Sequence, residues 1–306
     1  MMRYRDYNMY LREIFGERVQ KIPLDAGLSC PNRDGTLSKE GCVFCDRLGS
    51  GTGAFVEKGY PVRDQIKQGR SHMRRRYKVK KFIAYFQSFT NTYAPLPTLK
   101  AMYDEALLYS DIVGLSVATR PDCIDADILR LLSSYRDRAL VWIEYGLQSA
   151  HDKTLKRINR GHDVACFQRA VLQARKWDLN VCAHVILGLP GETREMMLET
   201  ARFLACLPVQ GVKIHLLYVT RGTFLAKQYE RGAFQCLERE EYVDMVVDFL
   251  ELLPPQMVVQ RLTGDPGRAD LLAPAWAREK TKNLNLIRKK LEERDTQQGK
   301  KYTPSR

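Results

Sequence analysis

The sequence predicts an α/β fold built on parallel strands, and three observations carry that reading. Short apolar runs recur at residues 21–26, 81–86, 112–118, 140–145, 181–187, 212–218 and 257–262. Most are β-branched or aromatic and lack polar alternation, as expected of strands covered on both faces. Longer segments with apolar residues at helical spacing separate them, a β-α-β-α order that predicts right-handed crossovers between parallel neighbours. An open doubly wound sheet and a complete or partial barrel share this pattern. The residues fit for chemistry follow five strand ends: Cys30, Gln87, Arg120, Gln148 and Gly188. Five ends on one rim fit a barrel better than a two-strand crevice.

The intervening segments justify the helices in order. LPTLKAMYDEALLYS, DADILRLLSSY, VACFQRAVLQARKW, TREMMLETARFLACL and EYVDMVVDFLELL each carry an apolar stripe. Asp122, after Arg120-Pro121, can start one helix, and Glu192, after the turn of Gly188, Pro190 and Gly191, another. The tail beyond Trp276 is charged and rich in helix formers, then ends in QQGKKYTPSR; it reads as a helix followed by disorder. No internal repeat appears.

With 306 residues, 44% of them hydrophobic, the chain can bury a large core. No run of about 18 apolar residues occurs and the first residues lack an export signal, so a cytoplasmic protein that does not enter a membrane is expected. The net charge of +13 is local. Residues 66–81 hold eight basic side chains (Lys67, Arg70, Arg74, Arg75, Arg76, Lys78, Lys80 and Lys81) and no acid. Residues 280–306, with Lys282, Lys289 and Lys290 among nine basic residues, contribute a further +6, leaving −1 for the rest. Such stretches are either solvated faces or a phosphate-binding surface.

Three of the eight cysteines cluster, in LSCPNRDGTLSKEGCVFCDRLGSGTGAF, as C-x11-C-x2-C. Cys42 and Cys45 can bend onto one centre, and Cys30 joins across a glycine- and proline-bearing loop. Thiolates suit zinc or an iron–sulfur cluster. A structural zinc site is closed by four ligands, and no fourth cysteine or histidine is near. Three ligands on a four-iron cluster leave one iron open to a substrate or cofactor. Unrelated buried thiols are the remaining alternative. Cys123, Cys166, Cys182, Cys206 and Cys236 are scattered among apolar residues and read as buried packing.

The other strand ends carry further candidates. FQSFTNTYAP, with Gln87 and four hydroxyl or amide neighbours, is either a capped turn or a set of contacts to a polar ligand. Arg120 pairs with Asp122 or clamps a carboxylate or phosphate. Glu144 and Gln148 end an apolar strand; a buried Glu144 needs a partner, which a ribose diol or an amino group would supply. Arg157 and Arg160 are placed on the following helix, with His162 after it. Backbone at Ile186 and Gly188 could meet the edge of an adenine. His184 reads as a satisfied interior histidine. No G-x-S-x-G or H-E-x-x-H occurs, so hydrolase chemistry has little support.

CPNRDGTLSKEGCVFC, FQSFTNTYAP, ATRPDC, EYGLQSAHDKTLKRINRGH, HVILGLPGET and HLLYVTRGT, in this order, resemble the radical S-adenosylmethionine (SAM) superfamily. Within it the chain resembles the group of the Elongator catalytic subunit, and more narrowly the bacterial YhcC/YtqA-like proteins. The resemblance spans roughly residues 7–276. It implies a partial (β/α)6 barrel of TIM-like type over residues 1–264, with an N-terminal extension and a basic helical tail over 265–306. It implies a [4Fe–4S] cluster on Cys30, Cys42 and Cys45 and SAM chelated at the open iron. It assigns Gln148 to the SAM ribose, Arg160 to its carboxylate and Ile186–Gly188 to adenine; Glu144 matches an acid of the Elongator-like motif. Ala118 and His184 depart from motifs that carry acids there, and Gln87 or the backbone of Thr119 and Arg120 would compensate. No catalytic residue beyond the cluster ligands is implied. A cellular electron donor such as flavodoxin or ferredoxin is. The YtqA-like resemblance suggests tRNA as partner, with a carboxymethylaminomethyl group on a wobble uridine trimmed to aminomethyl. Arg74, Arg75, Arg76, Lys78, Lys80, Lys282, Lys289 and Lys290 would meet its backbone. A small-molecule or protein substrate is the alternative within the class, and a zinc-stabilised RNA-binding protein the alternative outside it.

Overall fold

The computed structural model describes residues 2–49, 60–267 and 270–304. Seven parallel strands form one sheet in chain order: β1 Val19–Leu24, β2 Lys81–Phe86, β3 Ile112–Thr119, β4 Leu140–Gln148, β5 Asn180–Leu187, β6 Gly211–Leu216 and β8 Val258–Arg261. The two-residue β7, Val219–Thr220, pairs antiparallel with β9, Leu271–Ala273. The first and last strands of the large sheet do not pair with each other, so the sheet curls into a half-barrel with a seam between β1 and β8. All seven sheet strands lie within two residues of their expected starts. The barrel expectation holds in its partial form.

The helices are α1 Tyr7–Phe15, α2 Val62–Tyr77, α3 Leu96–Ala106, α4 Ala126–Ser133, α5 Asp152–Arg157, α6 Val164–Lys176, α7 Arg194–Ala205, α8 Phe224–Glu230, α9 Arg239–Leu252 and α10 Lys280–Glu293. Most bury apolar stripes against the sheet in one core from Ile22 and Phe82 to Phe249 and Ile287, while Leu11 of α1 packs with Val19 and Ile83, and Leu155 of α5 and Leu225 of α8 with Val43 and Val219, in smaller clusters.

Local chemistry moves several expected boundaries. Asp125, not Asp122, caps α4, because its carboxylate accepts from the Ile128 N–H at 2.8 Å while Asp122 is taken by Arg120. Thr193, not Glu192, caps α7; Glu192 instead accepts from the Ser149 hydroxyl. Arg160 is not on a helix: α5 stops at Arg157, and Asn159 and Gly161 turn the chain with φ of 51° and 79°. Nor is the tail after α10 disordered up to residue 304. Gln298 is buried, and its amide donates to the carbonyls of Pro254 and Met257 at 2.7 and 2.8 Å. Of the five scattered cysteines only Cys182 is buried; Cys206 is exposed and the others are intermediate. The glycine-rich run after Cys45 lies outside the described residues from position 50 onward.

Candidate active site in the half-barrel

Because side chains alternate along a strand, every second residue of the sheet points inward. These positions are Lys21 and Pro23 on β1, Tyr85 and Gln87 at the end of β2, Ala118 on β3, Glu144, Gly146 and Gln148 on β4, His184 and Ile186 on β5, and Lys213 and His215 on β6. Parallel pairing puts all the strand ends on one rim. The loop after β1 folds over that rim and carries the three clustered cysteines.

A cleft of about 870 Å³ unites them: Cys30, Cys42 and Cys45 line it with Gln87, Thr90, Arg120, Glu144, Gln148, Arg160, His184, His215 and Arg261. An adjoining cleft of about 610 Å³ shares Phe44, Gln148, His184 and His215 and adds Ile186 and Tyr218. Seven of the residues expected at a SAM site or cluster therefore face one space, and Ile186 its neighbour. Gly188 does not line either; its N–H points to the Met197 sulfur at 3.2 Å.

The cysteine loop is tied down by residues the sequence reading did not single out. Arg33 donates to the carbonyls of Cys45 and Asp46 at 2.7 and 2.5 Å. Gly41, at φ 75°, leaves room for that side chain, since a Cβ there would sit 2.9 Å from Arg33 Nε. Asn159 donates to the Gly41 carbonyl at 2.8 Å, and the Val43 N–H to the Ile158 carbonyl at 3.0 Å.

Around Cys42 the environment is electropositive. Arg160 Nη1 and Asn32 Nδ2 each lie 3.6 Å from its sulfur. Arg160 is itself clamped to the Gly146 carbonyl through Nη2 at 2.8 Å, and a Cβ on Gly146 would lie 2.5 Å from that nitrogen. A register shift at Gly146/Gln148 sets Gln148 at φ 74°, a strained conformation for a residue with a side chain, at the rim of the cleft. Arg120 resolves its two readings in favour of the pair: it grips Asp122 through Nε and Nη2 at 2.9 and 2.7 Å. Its Nη1 remains buried without a partner. In FQSFTNTYAP, Asn91 and Thr92 fix the turn, through bonds to Ala118 and Thr119, while Gln87, Phe89 and Thr90 face the cleft.

These features fit a thiolate-bound cluster. Arg160 and Asn32 aim N–H donors at the Cys42 sulfur, as the sulfurs of such a cluster accept them. Among the described residues, one set of three metal-ligating side chains has its ligand atoms within 4.8 Å of one another: Glu144, Cys182 and His184. The Glu144 set is an ion-pair core, because two ammonium groups already occupy the carboxylate.

Glu144 is fully buried on the barrel axis. Lys21 donates to Oε1 at 2.7 Å and His184 to Oε2 at 2.8 Å, and Lys213 also donates to Oε2. The amino groups that satisfy it are thus the chain's own. Burial alone would raise the carboxyl, but Lys21 and Lys213, helped by His184, outweigh it and hold it well below its ordinary value. Burial pushes Lys213 down to about 7 despite Glu144, and pushes His184 down to about 4 with the help of Lys213.

The basic stretches lie elsewhere. α2 ends at the amino-terminal end of β2, on the barrel face away from the cysteines, as Arg70 and Arg74 show by gripping Asp111 just before β3 at 2.8 and 2.6 Å. Arg74 is thus partly committed. Arg75 and Arg76 are exposed, the latter against the Tyr77 ring, and Lys78 and Lys80 follow. On α10, Lys282, Lys289 and Lys290 pair with Glu279, Glu293 and Asp244 at 3.2–3.3 Å. Exposed pairs of this kind are weak, so they do not preclude phosphate binding.

Comparison with known proteins agrees with this architecture. The Radical SAM superfamily profile matches residues 35–204, and the Radical_SAM C-terminal domain profile residues 209–293. The chain is 45% identical over 301 residues to the uncharacterized protein YtqA of Bacillus subtilis, covering 97% of this chain and 92% of that one. It is 38% identical over 284 residues to protein YhcC of Escherichia coli (92% and 90% covered). A more distant match, 30% identical over 161 residues, is a tRNA uridine(34) acetyltransferase of Dehalococcoides mccartyi; it covers 50% of this chain and 33% of that protein. Among solved structures, the archaeal Elp3 of Methanocaldococcus infernus with an N-terminal deletion superposes with a TM-score of 0.64 at 18% identity, over 92% of this chain and 64% of that one, which bears on the fold alone.

Proposed function

The chain belongs to the radical SAM superfamily, and from that premise we propose that Cys30, Cys42 and Cys45 hold a [4Fe–4S] cluster that activates SAM for attack on a tRNA wobble uridine. The observation that carries the site is the single cleft uniting the three thiols with Gln87, Gln148 and Arg160. When bound, the cluster supplies the electron that splits SAM into methionine and a 5′-deoxyadenosyl radical. The chain's own residues bind and orient. In this reading Gln148, on its bulge, takes the SAM ribose, Arg160 its carboxylate and Ile186 the adenine. The half-barrel keeps water from the reacting centre.

The tRNA reading draws on the wobble-uridine enzyme among the distant relatives and on the charge pattern. The proposed reaction trims carboxymethylaminomethyl-uridine to aminomethyl-uridine in the cytoplasm: SAM serves as two-electron oxidant and leaves as methionine and 5′-deoxyadenosine, the side chain's N–CH2 unit becomes an imine, and water cleaves that imine to the amine and glyoxylate, with flavodoxin or ferredoxin supplying the priming electron. An anticodon base is already unpaired, so entry into the barrel costs little. Mass analysis of wobble nucleosides from cells lacking the gene tests it. The carboxymethylaminomethyl form should accumulate. If it does not, and the purified enzyme leaves that nucleoside in tRNA untouched, the substrate assignment falls.

Gln148→Ala should weaken SAM binding about tenfold, with iron content unchanged, in isothermal titration of the reconstituted protein. Unchanged affinity would remove Gln148 from the site. Replacing Arg75 and Arg76 with alanine should weaken tRNA binding and reduce the slope of log affinity against log salt by about 2. SAM cleavage with dithionite should stay intact, since α2's last turn lies at the amino-terminal end of β2, away from the cysteines. An unchanged slope would mean that these arginines face only water.

A further inference from the structure

The seam between β1 and β8 opens into a third cavity of about 1090 Å³, lined by Lys21, Tyr85, Gln87, Lys213, His215, Gln260, Arg261 and Asp265 among others. It shares Tyr85, Gln87, His215 and Arg261 with the cysteine cleft, so the two spaces meet inside the barrel. Its charges do not balance. Lys21, Lys213, Arg261 and Lys280 supply four cations. Glu144 accepts from both lysines and from His184, which takes up its two oxygens. Asp265, also on this wall, is held by Lys280 at 2.5 Å.

Arg261 is thereby left with no hydrogen bond or ion pair on its guanidinium among the described residues. Two buried nitrogens beside it are also unpartnered: Gln260 Nε2 and His215 Nε2. Gln260 is oriented by its own oxygen, which accepts from Lys21 at 2.8 Å and so leaves the amide nitrogen for another acceptor. Burial and the neighbouring His184 hold His215 well below its ordinary pKa, so its imidazole is neutral and can present one N–H. Unsatisfied donors in a buried, cationic space are costly unless an acceptor arrives.

We propose that Arg261, with Gln260 and His215, is the receptor for a carboxylate carried by the substrate. This rests on the reading of the half-barrel as the chamber for a wobble-uridine side chain. A planar guanidinium fork matches a carboxylate through two parallel hydrogen bonds, which a neutral amide or an ammonium cannot reproduce. The same wall would select against the trimmed group. An aminomethyl product is a cation and would face Lys21, Lys213 and Arg261 with nothing to bind, which favours its release. A carboxylate in this chamber could also be that of SAM, and the experiment separates the two sources.

The test uses reconstituted holoenzyme and isothermal titration with three probes: 5-carboxymethylaminomethyluridine, its carboxamide, and SAM. Wild type should prefer the carboxylate nucleoside. Arg261→Gln should lose about tenfold or more in affinity for it, under about twofold for the carboxamide, and under about twofold for SAM. Arg261→Lys, which keeps the charge and loses the fork, should fall between and guards against a folding defect in the glutamine variant. Wild type without preference, or equal loss for carboxylate and carboxamide, overturns the receptor. A loss confined to SAM overturns it too and gives Arg261 to the cofactor. Carboxylate preference that depends on Arg261, in an enzyme that leaves wobble uridine in tRNA untouched, would sustain the receptor and refute the tRNA reading separately.

Discussion

Cys42→Ala is expected to abolish iron–sulfur assembly, leaving close to none of the roughly four iron atoms and four sulfides per chain expected of the wild type after anaerobic reconstitution. Of the three loop thiols Cys42 is the buried one, and the one that Arg160 and Asn32 both approach. Those contacts hold the sulfur in a fixed position, so removing it takes away the most firmly placed of the three ligands. It also leaves Arg160 facing an alanine. Two remaining cysteines cannot hold a four-iron cluster in place of three. Cys182→Ala provides the contrast. Cys182 is fully buried beside Trp142 and Val258, and burial pushes its thiol pKa far up, so it is a packing residue. That variant should keep its full iron content. An iron-loaded Cys42→Ala protein with the wild-type absorption spectrum would refute the assignment. One zinc and no iron in the wild type would sink the cluster altogether.

What could be read from the sequence follows from what each element depends on. Strands covered on both faces are continuous apolar runs, so 81–86 and 112–118 were visible without any tertiary knowledge. The rim was visible because polar residues such as Gln87 and Gln148 interrupt those runs at their ends. Helix starts were less visible: Asp122 and Asp125 both look like caps, and only the bidentate grip of Arg120 on Asp122 decides between them. Of the barrel floor the sequence shows Glu144 and its need for a partner, but not the partners. Lys21, Lys213, His215 and Arg261 each sit inside a strand that was read for its apolar content. Their signal was present as polar residues two apart in VKIHL, the period of one strand face. What could not be read is that Lys21 and Lys213, 192 positions apart in the sequence, meet on one carboxylate, since that depends on how far the sheet curls. The buried Gln298 was hidden for the same reason: a polar tail looks disordered until the carbonyls of Pro254 and Met257 are seen to receive it.

That floor gives the largest stability effect expected in the molecule. Glu144→Gln should destabilise the protein by about 3–5 kcal/mol, a fall in Tm of about 10 °C. The carboxylate sits at the centre of Lys21, Lys213 and His184 with no exposure of its own side chain. A glutamine keeps the shape and one acceptor but turns a donor toward the lysines, leaving the buried ammonium of Lys213 uncompensated. Lys213 can answer by losing its proton, since burial already holds it near 7, so the variant should be least impaired at alkaline pH. The sign of the acid response follows from the Glu144 carboxyl, which is held below its ordinary value of 4.5. Its stabilising contribution is complete above that value and is lost as pH falls through the lower folded pKa. Wild type should therefore lose stability more steeply in acid than Glu144→Gln, and the two curves should converge. Adding Lys213→Met to the variant removes the orphaned charge and should recover part of the loss. Thermal melts from acid to mildly alkaline pH measure all three proteins. A Glu144→Gln protein as stable as wild type at neutral pH, or a double variant less stable than the single one, would show that this ion-pair core does not hold the barrel floor together.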